Sequence, residues 1–229
     1  MTRGTGTVEL VQSLLPDWSA VGFALLTQLG DPWFLVALLA VLYWRLPVSR
    51  RDLALVGGTY LIAVGLYRSI KQLTTLPRPD RPLLDPAAVP ELVRPLYETT
   101  AFAAGYGFPS GHATGSAAVY LALAAVLTVG TRRRRFGAAA ALVATIGFSR
   151  IALGLHYLID VLAGFALGGA VVAFTLLVRE RRSDSGAVFA AAVASTGTYL
   201  AVGGVTSKSL LAVAAALGLA AGWRFGYLQ

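Results

Sequence analysis

Cysteine is absent from the 229 residues, which excludes disulfides, thiol nucleophiles and cysteine-ligated metal sites. Charge is scarce: only 13% of residues are Asp, Glu, Lys or Arg, against roughly a quarter in soluble domains. Histidine is nearly missing, with two in the chain. Without cysteine, or a glycine at position 2, no lipid anchor is expected. Arg3, Glu9 and Asp17 stand at the start with no long apolar run before them, so no cleavable signal peptide is expected either.

What is present is apolar. Hydrophobic residues make up 56% of the chain and the mean hydropathy is +0.69. The uncharged runs have the length of bilayer-crossing helices, and a single 23.9 kDa core could not bury them all. The fold class expected is all-α: a polytopic transmembrane helical bundle, one membrane domain over 1–229, multi-pass in the cell membrane. Residues 1 to 14 read as polar and frayed. Asp17, Ser19, Thr27 and Gln28 interrupt the short apolar segment that follows, which predicts an interfacial helix over 14–29. It ends at Gly30-Asp31-Pro32. Spans are expected from Trp33 to Trp44, Leu53 to Ile70, His112 to Val129, Phe136 to Leu153 and Tyr157 to Val178. An additional C-terminal helix pair over 187–223, Ala187 to Gly203 and Ser209 to Trp223, brings the count to seven.

Residues 77–109 differ in character. Seven of the ten prolines lie there. Proline blocks regular helix and fixes local geometry, so the segment is expected to be a structured extracytoplasmic cap loop.

The net charge of +8 is explained by where the basic residues fall. The loops at 45–51, 132–135 and 179–182, with Arg224, hold eleven basic residues against Asp52, Glu180 and Asp184. The other side holds the remaining eight of each sign. By the positive-inside rule the arginine runs and the C-terminus are cytoplasmic. The N-terminus and the 77–109 loop then lie outside. Arg132-Arg133-Arg134-Arg135 reads as a topology anchor that meets anionic lipid, and no nucleic-acid partner is expected because no polar domain supports such a patch.

Three motifs fall on the outer side of this topology. They are Lys71 to Pro79, with Arg78-Pro79 at its end; Tyr106 to His112, with Pro109-Ser110-Gly111-His112; and Ser149-Arg150 through His156 to Asp160. Both histidines are in them. His156 and Asp160 are four apart, so on a helix they share one face. A carboxylate that holds one imidazole nitrogen leaves the other free to attack. Arg150 can bring a forked cation to an anion. Each group also has a plain reading: Lys71 and Arg78 as snorkelling residues, Ser110 as a helix cap, His156 as a packed ring satisfied by Asp160. Charges at membrane depth are costly and mark function, and all three groups reach one side together.

These stretches resemble the signature of the type 2 phosphatidic acid phosphatase (PAP2) superfamily, the membrane branch related to vanadium haloperoxidases. The pattern is a lysine, six residues and Arg-Pro; Pro-Ser-Gly-His; then Ser-Arg, five residues, His, three residues, Asp. All three parts are complete, spanning Lys71 to Asp160. The resemblance implies a PAP2/vanadium-haloperoxidase-like core of about 6–7 spans and no metal or other cofactor. It implies His156 as the nucleophile that forms a phosphohistidine, Asp160 as its orienting partner and His112 as acid, then base. Lys71, Arg78, Ser110, the Gly111 amide and Arg150 would hold the phosphoryl oxygens. The substrate implied is a lipid phosphate or diphosphate, with a polyprenyl diphosphate favoured because the site faces outside. Phosphatidate, phosphatidylglycerol phosphate and transfer to an alcohol acceptor stay open as alternatives. A transporter or structural protein is the non-enzyme rival, and the completeness of the motifs argues against it. By this count the chain departs from the family in lacking a span before Pro32 and adding two after Val178. That last pair reads as scaffold, homo-oligomer contact or substrate-groove wall. Gly164 to Gly168 reads as a close helix-packing contact.

Overall fold

The structure, a computed structural model, describes residues 5–45, 48–79, 81–181 and 185–228. Arg3, Asp80, Arg182 and Asp184, counted above among the charges, lie outside the described residues. The helices are α1 (Thr5–Ser13), α2 (Ser19–Gln28), α3 (Pro32–Arg45), α4 (Arg50–Thr74), α5 (Arg94–Ala101), α6 (Gly111–Val126), α7 (Arg132–Ala152), α8 (Leu158–Arg181), α9 (Gly186–Gly203) and α10 (Ser207–Arg224), with a 3-10 turn at Pro86–Ala88. α4 is central and packs against α9, α6, α8 and α10.

Among the described residues four helices are long and apolar enough to cross a membrane: α4, α7, α8 and α9. α2 and α3 pass the same test only as a pair, bent by 48° at their break. The chain is thus a polytopic all-α bundle with four such helices, five with the bent pair, rather than six or seven. The difference has a plain cause. The runs from Trp33 and His112 become helices of 14 and 16 residues. Sixteen residues rise about 24 Å, short of a hydrocarbon core of about 30 Å. α10 includes Lys208 and Arg224 within its 18 residues.

Residues 5–13, expected to fray, form a helix. Val8 is buried with Val11 against Ile151 and Val161. Gln12 Nε2 donates to the carbonyls of Arg81 and Ala152 at 3.0 and 3.1 Å. Tertiary contacts supply what the local sequence does not.

Caps set where the site-bearing helices stop. Ser49 accepts from the Asp52 amide to start α4, which ends where Thr75 turns left-handed at φ 50°. Lys71 therefore sits in the last turn. α7 starts at the Thr131 cap and stops before Gly154, at φ +68°. A Cβ on Gly154 would lie on the Arg81 carbonyl, so glycine lets the chain reverse tightly toward His156.

The two ends of the bundle differ in charge. Arg132, Arg135 and Arg179 line one cavity, Arg179 pairs with Asp52 at 2.9 Å, and Arg51 stands over the Trp223 ring. The three motifs meet at the opposite end.

Gly164 and Gly168 let α8 lie directly on α6. A Cβ on Gly168 would be 2.6 Å from the Thr114 carbonyl oxygen, and one on Gly164 would be 2.8 Å from that of Ser110. Nothing lies within 4 Å of a Cβ on Gly169. Gly168→Ala is expected to cost about 1–3 kcal/mol, as overpacking does, while Gly169→Ala is neutral; thermal unfolding of the two variants in detergent checks the difference.

Candidate active site

Six of the eight expected site residues line one cavity of about 310 Å³: Lys71, Arg78, Gly111, His112, Arg150 and His156. They arrive from the end of α4, the loop after it, the start of α6, the end of α7 and the turn before α8. Asp160 and Ser110 stand behind this wall, both fully buried. The Ser110 amide donates to the Asp160 carbonyl at 2.9 Å. That bond ties the second motif to the third.

Carbonyl oxygens hold the cations in place. Lys71 Nζ donates to Tyr106 and Gly107 at 2.7 and 2.9 Å. Arg78 donates from Nε to Gly105 at 3.1 Å and from Nη1 to Leu155 at 2.9 Å. Arg150 is 3% exposed and donates from Nη1 to Thr27 Oγ1 at 3.2 Å, while its buried Nε has no partner among the described residues. A dipole orients a cation without neutralising it, so the charge remains available to an anion.

His156 presents two different ring nitrogens. Nδ1 lies 3.4 Å from Asp160 Oδ2, which also accepts from the Tyr157 amide at 3.1 Å. Nε2 lies 3.0 Å from Arg78 Nη1. A guanidinium only donates, so Nε2 carries a lone pair and the proton sits on Nδ1. The Nδ1 contact is long for a hydrogen bond, as resting catalytic contacts often are. Burial, followed by the charges of Arg78, Arg150 and Lys71, holds the His156 imidazole well below its ordinary range.

Ser110 has a local task. Its Oγ accepts from the Ala113 amide at 3.4 Å as the N-cap of α6. It is not part of the cavity wall, so the plain reading of this residue describes its contacts. Gly111 lines the cavity and its missing side chain matters: a Cβ there would be 2.9 Å from the Tyr67 ring.

The motifs do not mention several neighbours. Asp31, at the α2–α3 break, places Oδ2 3.6 Å from His112 Nε2. Thr27 meets Arg150, and Tyr67, Arg68 and Lys208 line the cavity. A carboxylate between two apolar runs is costly at membrane depth, so Asp31 was detectable as an oddity. Its partner was not.

The family model for the PAP2 superfamily matches residues 52–184. The chain belongs to the PAP2 superfamily. Among relatives it is similar to, a decaprenylphosphoryl-5-phosphoribose phosphatase of Mycobacterium tuberculosis is 33% identical over 139 residues, 61% of this chain and 67% of that one. Phosphatidylglycerophosphatase B of Bacillus subtilis is 34% identical over 84 residues, 34% of this chain and 41% of its own. A crystal structure of a transmembrane PAP2-type phosphatidylglycerolphosphate phosphatase from Bacillus subtilis superposes with a TM-score of 0.60 at 21% identity, over 78% of this chain and 86% of that one. That likeness concerns the fold. As a PAP2 enzyme the protein is a membrane phosphatase with a lipid phosphate substrate. Among the described residues no group of three or more His, Cys, Asp or Glu is arranged to hold a metal ion.

The two-histidine composition makes His156 directly observable. In His112→Asn protein with labelled imidazole, the remaining ring is expected to stay neutral as pH falls through about 6.5, the ordinary histidine value. The unfolded chain takes up that proton first, so stability falls below the same pH. NMR titration reads the first and unfolding at several pH values the second. Protonation at or above the ordinary value would contradict the buried cationic setting.

Proposed function

We propose that the protein hydrolyses a phosphate ester or diphosphate on a lipid through a phosphohistidine at His156. The observation that carries the reading is the gathering of six motif residues in one cavity, with the free nitrogen of His156 turned toward Arg78. His156 Nε2 attacks phosphorus and the bond to the leaving oxygen breaks. His112 gives that oxygen its proton. Water then attacks phosphorus as the P–N bond breaks, His112 takes a proton from that water, and inorganic phosphate leaves with His156 restored. Asp160 keeps the ring turned through Nδ1. Phosphoryl transfer depends on positioning and neutralisation of the equatorial oxygens. Lys71, Arg78, Arg150 and the Gly111 amide supply that here, and the unpartnered Nε of Arg150 is a donor waiting for such an oxygen. Ser110 acts through its cap on α6, which fixes where the Gly111 and His112 positions fall. Asp31, 3.6 Å from Nε2, orients the His112 ring.

Orientation follows from charge. The arginine-rich end is cytoplasmic by the positive-inside rule and the cavity faces outward, where a headgroup meets the helix ends. The α2–α3 pair then lies partly in the interface, with α6 as a short crossing element beside α4. The substrate is a polyprenyl-type lipid carrying a monoester or diphosphate. Support comes from the topology and from the mycobacterial relative, whose name describes a phosphate on a decaprenyl-linked sugar. The Bacillus relative favours a second reading, a glycerophospholipid phosphate such as phosphatidylglycerol phosphate.

The test is phosphate release by detergent-purified protein with chelator present, from a polyprenyl diphosphate, phosphatidate and phosphatidylglycerol phosphate. His156→Ala is expected to lower kcat by about 10³-fold or more, and His112→Asn by about 10²–10⁴-fold, the usual range for a general acid–base. Rapid quench with 32P-labelled substrate should leave acid-labile, alkali-stable label on the protein, absent from His156→Ala. Label without release to water, discharged by an added alcohol, would replace hydrolysis with transfer.

A further inference from the structure

The cavity wall holds two cations that the three motifs do not include. Arg68 lies one turn before Lys71 on α4, and Lys208 is in the first turn of α10. Gln72, four residues after Arg68 and so on the same helix face, lines the cavity with them. Among the described residues neither cation is paired with a carboxylate. Arg68 is held by rings instead. Its guanidinium stands over Tyr67 and Tyr199, 5.5 Å from each centroid. The side chains of Tyr67 and Tyr199 also hydrogen-bond to it, which orients the fork without neutralising its charge. A guanidinium without a counter-ion at the end of a spanning helix is costly unless it serves a ligand.

The wall around these groups is built. Tyr199 is buried on α9, and a Cβ on Gly203 would be 2.7 Å from the Tyr199 ring and 3.5 Å from Gln72 Cγ. The end of α9 thus closes onto Arg68 and Gln72. The turn into α10 is fixed by a reciprocal cap: the Ser209 amide donates to Thr206 Oγ1 at 3.1 Å, and the Thr206 amide to Ser209 Oγ at 2.9 Å. Lys208 sits inside that turn. The cavity of about 310 Å³ would hold about ten waters at about 30 Å³ each, which is room for more than the phosphoryl group under attack.

We propose that Arg68, Lys208 and Gln72 form a second anion subsite that engages a phosphate other than the one cleaved, so that the enzyme favours lipids carrying two phosphates. The proposal rests on the reading of the His156 cavity as a lipid phosphate site. The shared chemistry has two sources. One is a diphosphate, with the second group adjacent; the other is a monoester whose lipid is joined through a phosphodiester, with the second group a sugar or glycerol away. Arg68 and Gln72 stand within residues 52–184 and Lys208 beyond them, so the subsite joins the segment the family model matches to the α10 of this chain.

The experiment measures binding without turnover, in His156→Ala protein, by calorimetry in mixed micelles. The probes are phosphatidate, a short polyprenyl diphosphate and phosphatidylglycerol phosphate. Adding Arg68→Gln or Lys208→Gln is expected to weaken at least one two-phosphate lipid by about tenfold, the scale of one hydrogen bond to a charged group. Phosphatidate should change by less than about twofold. Which two-phosphate lipid responds tells the adjacent source from the separated one. Equal weakening of all three lipids, or no change in any, would overturn the subsite. Lys208 is solvent-exposed, so its variant keeps the test open if Arg68→Gln fails to fold. Phosphate release by the unaltered chain tests the parent reading separately: no release with selective binding would sink hydrolysis but leave the subsite standing.

Discussion

Cations crowded into a poorly solvated cavity repel one another, and this structure holds them with dipoles rather than with opposite charges. Lys71 leans on the carbonyls of Tyr106 and Gly107, and Arg78 on those of Gly105 and Leu155. Carboxylates there would have neutralised the site and competed with the substrate. Carbonyls can be supplied only by backbone in irregular conformation, so the loops at 105–107 and 153–156 must be shaped precisely. Much of the surrounding architecture can be understood as what holds those loops still. The Gly154 turn, the Ser110–Asp160 backbone bond and the α1 contacts through Gln12 all converge on them.

Helix packing does the rest. α6 and α8 approach closely enough at Gly164 and Gly168 for side chains to be excluded, and both helices begin at the cavity. Their separation sets the distance from His112 to His156. A motif that is weak evidence when met alone in a sequence therefore fixes the spacing of the two imidazoles. α4 is similarly close to α9: a Cβ on Gly65 would be 2.4 Å from the Ser195 carbonyl carbon. That contact carries the α9–α10 pair to the same end of the bundle.

The composition and the three motifs made the helical class, the family and six of the cavity residues legible in the sequence. Those features have high local information: apolar runs of span length, and rare polar residues at helical spacing. Helix ends were less legible. The run from His112 read as a span to Val129, yet its helix stops at Leu127, where the backbone becomes extended; α3 covers the run from Trp33 but at 14 residues is short for a span. α1 was unreadable because its stability comes from Val8 and Gln12 reaching residues far away in sequence. Ser110 illustrates another limit: cap and phosphate ligand require the same residue type at the same helix position, and the sequence does not show the cap contact that the fold makes. Asp31 beside His112, or Arg68 beneath Tyr199, is a pairing across the fold that no single sequence spells out.

The cavity is assembled from more of the chain than the matched segment contains. Residues 52–184 supply the imidazoles and the motif cations. Thr27, Asp31 and Pro32 come from before that segment, and Tyr199 and Lys208 from after it. The flanks therefore tune a reaction centre they do not encode. An inherited engine with replaceable ends can change its clientele by substitutions far outside its signature, and two members with identical motifs need not share a substrate.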